Sequence, residues 1–129
     1  MALQNYDTKY ELNQLLSGIK NLEIGDSVTE IEGGAFCGCS SLENLSLGDG
    51  ITSISGEQFS DCTSLKTVTI GRNVETIGWG PFINCKELTD IYVKGRSSAP
   101  STWDSEWARV VVDDGYGCYD KEINIHWNQ

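Results

Sequence analysis

One histidine, two prolines and one methionine are all that this 129-residue chain has of those residues, and its nine lysines and arginines face nineteen acids. The lone His126 has no motif-marked nucleophile beside it, so a histidine-based catalytic arrangement is not supported. A formal charge of −10 argues against duplex nucleic acid or an anionic membrane surface as a partner. Between residues 22 and 94 the acids outnumber Lys66, Arg72, Lys86 and Lys94, the bases of that stretch. This reads as a solvated acidic face, with a basic partner as the sharper alternative. No hydrophobic run approaches membrane-spanning length. Residues 1–10 lack the basic start and apolar stretch of a secretory signal, so the expectation is a cytoplasmic chain or part of a phage or surface assembly. Gly33-Gly34 is not a phosphate-cradling loop, and Asp113-Asp114, adjacent in sequence, reads as a solvated loop. The expectation is no enzyme, no cofactor and no metal.

What is present is repetition, in a length that fits one domain. Leu22-x-Ile24-Gly25 recurs as Leu45-x-Leu47-Gly48, then Val68-x-Ile70-Gly71, and begins again as Ile91-x-Val93. Val28-x-x-Ile31 returns as Ile51-x-x-Ile54 and Val74-x-x-Ile77, and Phe36-x-x-Cys39-x-x-Leu42 as Phe59-x-x-Cys62-x-x-Leu65 and Phe82-x-x-Cys85-x-x-Leu88. Every step is 23 residues. A fixed period of about 20–29 residues is the signature of a leucine-rich solenoid.

The pattern inside one period predicts its path. Leu45 and Leu47 alternate with Asn44 and Ser46, as on a strand with one buried face. Gly48-Asp49-Gly50 suits a tight turn. Ile51 to Ile54 is a second short extended piece. Gln58 to Cys62 is expected to make about one helical turn that carries Phe59 and Cys62 inward, and Pro81 starts that turn in the third copy.

These residues resemble the BspA-like leucine-rich repeats of bacterial and protist proteins: Val28-Thr-Glu-Ile31 through Phe36-Cys-Gly-Cys39 to Leu42-Glu-Asn-Leu45-Ser-Leu47 follows that family's repeat. The resemblance implies a right-handed, curved α+β solenoid with a parallel sheet on its concave side. It also implies kinship with surface or secreted binding proteins, often proposed as adhesins.

Three segments are expected. Residues 1–21 hold a capping helix, with Leu12, Leu15, Leu16 and Ile19 as its buried stripe and Gly18 at its end. Residues 22–93 hold about three and a half repeats. Residues 94–129 form a C-terminal cap with Trp103 and Trp107 over the last rung and an inserted loop at 110–120. There Ile123-x-Ile125-x-Trp127 restores strand alternation 32 residues beyond Ile91-x-Val93, nine more than the repeat.

The ladder positions Phe36, Phe59 and Phe82, and Cys39, Cys62 and Cys85, are expected to stack in the core, the cysteines as reduced, buried thiols. Equivalent side chains in successive rungs point in parallel, which disfavours a disulfide, and Cys37-x-Cys39 is too tight for a zinc pair. Cys37 and Cys118 lie off the ladder and are the more reactive pair. Trp79 replaces a glycine of the other copies and is either an exposed anchor or packing.

Function is thus expected on the surface: a non-catalytic module binding a protein or glycan through its concave face and C-terminal loop. The alternatives are a self-associating assembly component and an acidic inhibitor of a basic site. The outward strand residues are small in the middle rungs and grow at Asp90 and Tyr92, and the loop adds Asp113, Tyr116, Tyr119 and Asp120. Irregular loops on regular scaffolds carry binding disproportionately, and tyrosine is favoured in contact surfaces. These six are the candidate binding residues.

Overall fold

The structure, a computed structural model, describes residues 2, 3 and 18–129. Among them the strands are β1 (Ala2–Leu3), β2 (Asn21–Glu23), β3 (Glu30–Ile31), β4 (Asn44–Ser46), β5 (Ser53–Ile54), β6 (Thr67–Ile70), β7 (Thr76–Ile77), β8 (Asp90–Val93), β9 (Val110–Asp113), β10 (Cys118–Lys121) and β11 (Asn124–His126). One parallel sheet runs β11-β8-β6-β4-β2. Its register is the sequence period made spatial: Leu22 lies opposite Leu45, Leu45 opposite Val68, and Val68 opposite Ile91. Parallel neighbours need a crossover of a dozen or more residues, and each period supplies one. A second, narrower ladder pairs β5 with β7, Ile54 opposite Ile77, and continues through a bridge from Ile77 to Trp103. β1 pairs with β3 in the same parallel sense.

Between the ladders the core is built in columns. Phe36, Phe59 and Phe82 are wholly buried, their rings 5.7 and 5.6 Å apart in succession. Leu45, Val68 and Ile91 form another column, and Leu47, Ile70 and Val93 a third. The glycines closing β4 and β6, Gly48 and Gly71, are there for contact between rungs. A Cβ on Gly48 would sit 2.5 Å from the Ile24 carbonyl oxygen, and one on Gly71 would sit 2.4 Å from that of Gly48.

The return segment corrects the α+β expectation, since no helix occurs among the described residues. Ser60 N–H donates to Glu57 O (3.1 Å) and Cys62 N–H to Phe59 O (3.3 Å), closing successive tight turns. The alternate N–H groups leave the rung: Phe59 donates to Pro81 O (2.8 Å) and Asp61 to Ile83 O (2.9 Å). Left-handed residues recur in two columns, Gly34 (φ 72°), Glu57 (59°) and Gly80 (57°), then Gly38 (79°), Asp61 (62°) and Asn84 (62°). A left-handed residue every fourth position breaks a right-handed helix, which frees N–H groups for the neighbouring rung. The capping helix expected over residues 7–19 lies outside the described residues except at its end. There Gly18 is left-handed (φ 86°) and Ile19 packs, partly buried, against the core.

All five cysteines are free thiols. Cys62 Sγ donates to Phe36 O (3.0 Å) and Cys85 Sγ to Phe59 O (3.1 Å), so these two ladder thiols each satisfy a buried carbonyl of the preceding rung. Contact with the Cys39 thiol, together with burial, pushes the Cys62 thiol far up, and burial pushes that of Cys85 up to about 12. Another buried polar group ties the back of the solenoid. Gln58 accepts from Ser55 Oγ and donates to Glu32 O (3.1 Å).

The C-terminal segment closes the end with aromatics. Trp103 and Trp107 are buried with ring centroids 4.9 Å apart, and Trp127 lies 6.4 and 6.0 Å from them. Trp103 Nε1 donates to Val74 O (3.2 Å). β11 adds the expected last rung, but in a different register. Ile125, not Ile123, lies opposite Ile91, and His126 opposite Tyr92. A two-residue slip leaves every side chain on its own face, so alternation alone does not fix that choice. The inserted segment is an antiparallel hairpin rather than an irregular loop, with Val112 opposite Tyr119 and Val110 opposite Lys121.

Candidate functional site

The open face of the five-stranded sheet carries two rows of outward side chains. Asn21, Asn44, Thr67 and Asp90 form one row, and Glu23, Ser46, Thr69 and Tyr92 the other. The first three members of the first row are bonded in succession. Asn44 Nδ2 donates to Asn21 Oδ1 (2.7 Å), and Thr67 Oγ1 donates to Asn44 Oδ1 (2.6 Å). Over the first three rungs the side chains are short, and a recess of about 500 Å³ lies between the rows, lined by both and by Leu22 and Leu45.

At the C-terminal end the face fills. His126 Nε2 lies 2.9 Å from Asp90 Oδ1, and the His126 ring stacks on Tyr92 with centroids 4.6 Å apart and planes 14° from parallel. Hydrogen bonds from His126 and from Thr89 Oγ1 (2.7 Å) hold the Asp90 carboxyl below the usual range. The expected pair Asp90 and Tyr92 is therefore brought together, with His126 as a third member. Its outward direction was legible in the sequence, but its neighbours were not.

The other four candidates stand on the β9–β10 hairpin. Asn84 N–H donates to Val111 O (2.9 Å), which fixes the hairpin to the turn side of the third rung. The tip is held by its own side chains: Asp113 Oδ1 accepts from Gly115 N–H (2.9 Å) and Asp114 Oδ1 from Tyr116 N–H (2.8 Å). Tyr116 is 99% exposed and Tyr119 49%. Asp120 is already engaged, accepting from Arg109 Nε (2.8 Å). Arg109 also reaches Glu106 (3.1 Å), and Glu106 accepts from Trp79 Nε1 (2.9 Å). Hydrogen bonds from Trp79 and Arg109 lower the Glu106 carboxyl, and those to Asp120 and Glu106 raise the Arg109 guanidinium. Trp79 is thus pinned by its N–H yet 45% exposed. Nothing in the sequence signalled the roles of Glu106 and Arg109. No hydrogen bond, ion pair or ring contact joins the hairpin to Asp90 or Tyr92 among the described residues.

Among the described residues no group of three or more His, Cys, Asp or Glu side chains is placed to hold a metal, and no helix is long and apolar enough to cross a membrane. Cys118 is exposed on β10 and Cys37 half-buried.

The family model described as "BspA type Leucine rich repeat region (6 copies)" matches residues 13–99, about two thirds of the chain. The chain belongs to the BspA-type leucine-rich repeat family. Among solved structures, this BspA-type chain is similar to a leucine rich cell surface protein from Faecalibacterium prausnitzii, with a TM-score of 0.60 and 22% identity. The match covers 88% of this chain and 27% of that one, so the BspA-type chain spans about a quarter of its neighbour's length. At that identity the likeness is one of fold. No curated protein matches the chain. The family fits a protein-interaction module.

Proposed function

We propose that the chain is a non-catalytic binding module whose protein-contacting surface is the C-terminal hairpin, with Asp90 and Tyr92 as a second contact on the sheet. The observation that carries this reading is Tyr116. A wholly exposed tyrosine at the tip of a hairpin, on a turn locked by Asp113 and Asp114, is an anchor presented at little entropic cost. Tyr119 and the pinned Trp79 extend the aromatic surface, and the surrounding acids favour a partner with a basic rim.

A photo-crosslinking phenylalanine analogue at position 116, with the same probe at the exposed Ser53 as control, tests the surface. Adducts should form predominantly from position 116, and equal yield from both sites would refute the assignment. Against the partner so identified, Tyr116→Ala is expected to weaken binding by about 1–3 kcal/mol. Light scattering on the purified chain distinguishes this module from a self-associating assembly component.

A further inference from the structure

The solenoid ties each return segment to the next through a column of backbone hydrogen bonds. Gly38 N–H donates to Ser60 O (2.9 Å), Asp61 N–H to Ile83 O (2.9 Å) and Asn84 N–H to Val111 O (2.9 Å). Rungs add to one another on this side, and the β9–β10 hairpin stands where the next return segment would lie. β10 is the outer strand of that hairpin, and no further strand pairs with it among the described residues.

The register shows what this edge offers. Asp114 N–H donates to Gly117 O (3.2 Å) at the hairpin turn. Bonded and non-bonded pairs alternate along an antiparallel ladder. Val112 and Tyr119 therefore exchange bonds, as do Val110 and Lys121, while the pairs Asp113–Cys118 and Val111–Asp120 do not. The Asn84 bond agrees, since it takes the Val111 carbonyl on the side away from β10. By the same alternation Cys118 and Asp120 turn their N–H and C=O groups outward from the hairpin, and no backbone bond from the described residues reaches them. Proteins blunt such an edge with a proline, a bulge or a covering element. β10 has no proline, pairs with β9 without a bulge, and exposes Cys118, Tyr119 and Asp120.

The side chains define what pairs there. Strand alternation puts Cys118 and Asp120 on one face, with Asp113 directly opposite Cys118. Tyr119 lies on the other face, opposite the buried Val112, with Lys121 beyond it. Asp114 and Glu122 flank the strand, and Arg109, the base bonded to Asp120, is shared with Glu106. The edge is thus acidic on one face and aromatic on the other. A second copy would bring the same acids and another formal charge of −10, and like charges opposed across strands are destabilising. A strand whose side chains alternate basic and apolar complements both faces.

We propose that the β10 edge takes an extended basic segment of another protein as an added antiparallel strand. Its basic residues bond through their backbone to Cys118 and Asp120, and the apolar residue between them packs on Tyr119. The inference rests on the hairpin reading above and adds the chemistry of the partner segment and how it is held.

The probe is the peptide acetyl-Arg-Val-Arg-Val-Arg-amide, titrated into the whole isotope-labelled chain and followed by NMR. It should bind with a Kd below about 1 mM and slow hydrogen exchange at the Cys118 and Asp120 amides. The same peptide with glutamate for arginine should not bind. Methylating the backbone nitrogens of the arginines should abolish binding, and methylating those of the valines should leave it intact. Cys118→Pro removes one outward N–H on the solvent side of an edge strand, where proline is tolerated, and should weaken binding more than about tenfold. Cys118→Ala should not. Circular dichroism confirms that each variant is folded, and should Cys118→Pro fail to fold, the methylated peptides carry the test. The proposal falls if the basic peptide does not bind at about 1 mM, if methylating its arginines has no effect, or if folded Cys118→Pro binds it as tightly as the unmodified chain. It also falls if light scattering shows a dimer that Cys118→Pro dissolves, since a second copy then occupies the edge. Absent peptide binding with intact crosslinking from position 116 would remove strand addition and leave the hairpin reading standing.

Discussion

Between Leu45 and Leu88 the buried apolar positions are copied one period apart, Leu45 as Val68, Ile54 as Ile77, Phe59 as Phe82 and Cys62 as Cys85, whereas Trp103, Trp107, Val110 and Val112 have no such counterparts. The middle rungs each present the next with a surface like their own, so one residue type per column solves the packing of every turn. The last rung has no successor. It is covered instead by large rings crossing at steep angles, 69° between Trp103 and Trp107 and 65° between Trp107 and Trp127. A repeat can be closed only by departing from itself, because an end that copied the middle would leave a column exposed.

The largest expected effect would break the comparison at its centre. Phe59 sits between Phe36 and Phe82 in a wholly buried stack, and neither neighbour can shift to fill its place. Phe59→Ala should cost about 3–5 kcal/mol in urea unfolding. Trp127→Ala removes a half-buried ring and should cost clearly less. The reverse order would mean that the closure, not the repeat, carries the stability.

Cys62→Ala comes next. It leaves the buried Phe36 carbonyl without the thiol that now donates to it and should cost about 1–3 kcal/mol. Cys62→Ser keeps a donor there and should cost less than Cys62→Ala. Unfolding midpoints with and without reductant should coincide. A midpoint that drops on reduction would show a disulfide where the ladder has free thiols.

Glu57 sharpens the comparison within the repeat itself. It holds the left-handed conformation (φ 59°) that glycine holds at positions 34 and 80 of the same column. Glu57→Gly should therefore stabilise the chain, by about 1 kcal/mol. A loss of stability on the same urea curve would show that the column's conformation is not a strained one for a side chain.

The smallest expected effect is at the C-terminal end of the sheet. The folded state holds the Asp90 carboxyl below its ordinary value, through His126 and Thr89. A group lowered on folding contributes stability above its unfolded pKa of about 4, and that contribution is lost as pH falls through the folded value. Asp90→Asn should thus lower stability slightly at neutral pH, where the carboxylate's contribution is present, and flatten the acid side of the stability curve below about pH 4. An unchanged acid limb would remove Asp90 from the account.

Much of this was legible from spacing. The 23-residue period predicted the parallel register, the Phe and Cys columns and the outward rows, because a side chain repeated at fixed phase has one place to go in a coil. The expected helical turn at 58–62 failed for a local reason. Glu57, Asp61 and Asn84 are not glycines, so the left-handed backbone was marked only by Gly34, Gly38 and Gly80 in the other copies of those columns. The six candidate residues divide between two surfaces, the sheet and the hairpin. The recess follows from the small outward residues of the middle rungs, which the spacing placed but whose hollow it did not show.

The sequence by itself determined the coil, its period, and which residues face inward, since periodicity and burial are tied to chain position. Only the tertiary structure decided what the irregular residues do. Alternation left β11 free to slip by two residues, and packing placed Trp127 against Trp103 and Trp107 and His126 against Asp90 and Tyr92. The hairpin likewise found its place through Asn84, Arg109 and Asp120. These are single contacts between residues far apart in the chain, and a contact made once leaves no period to read.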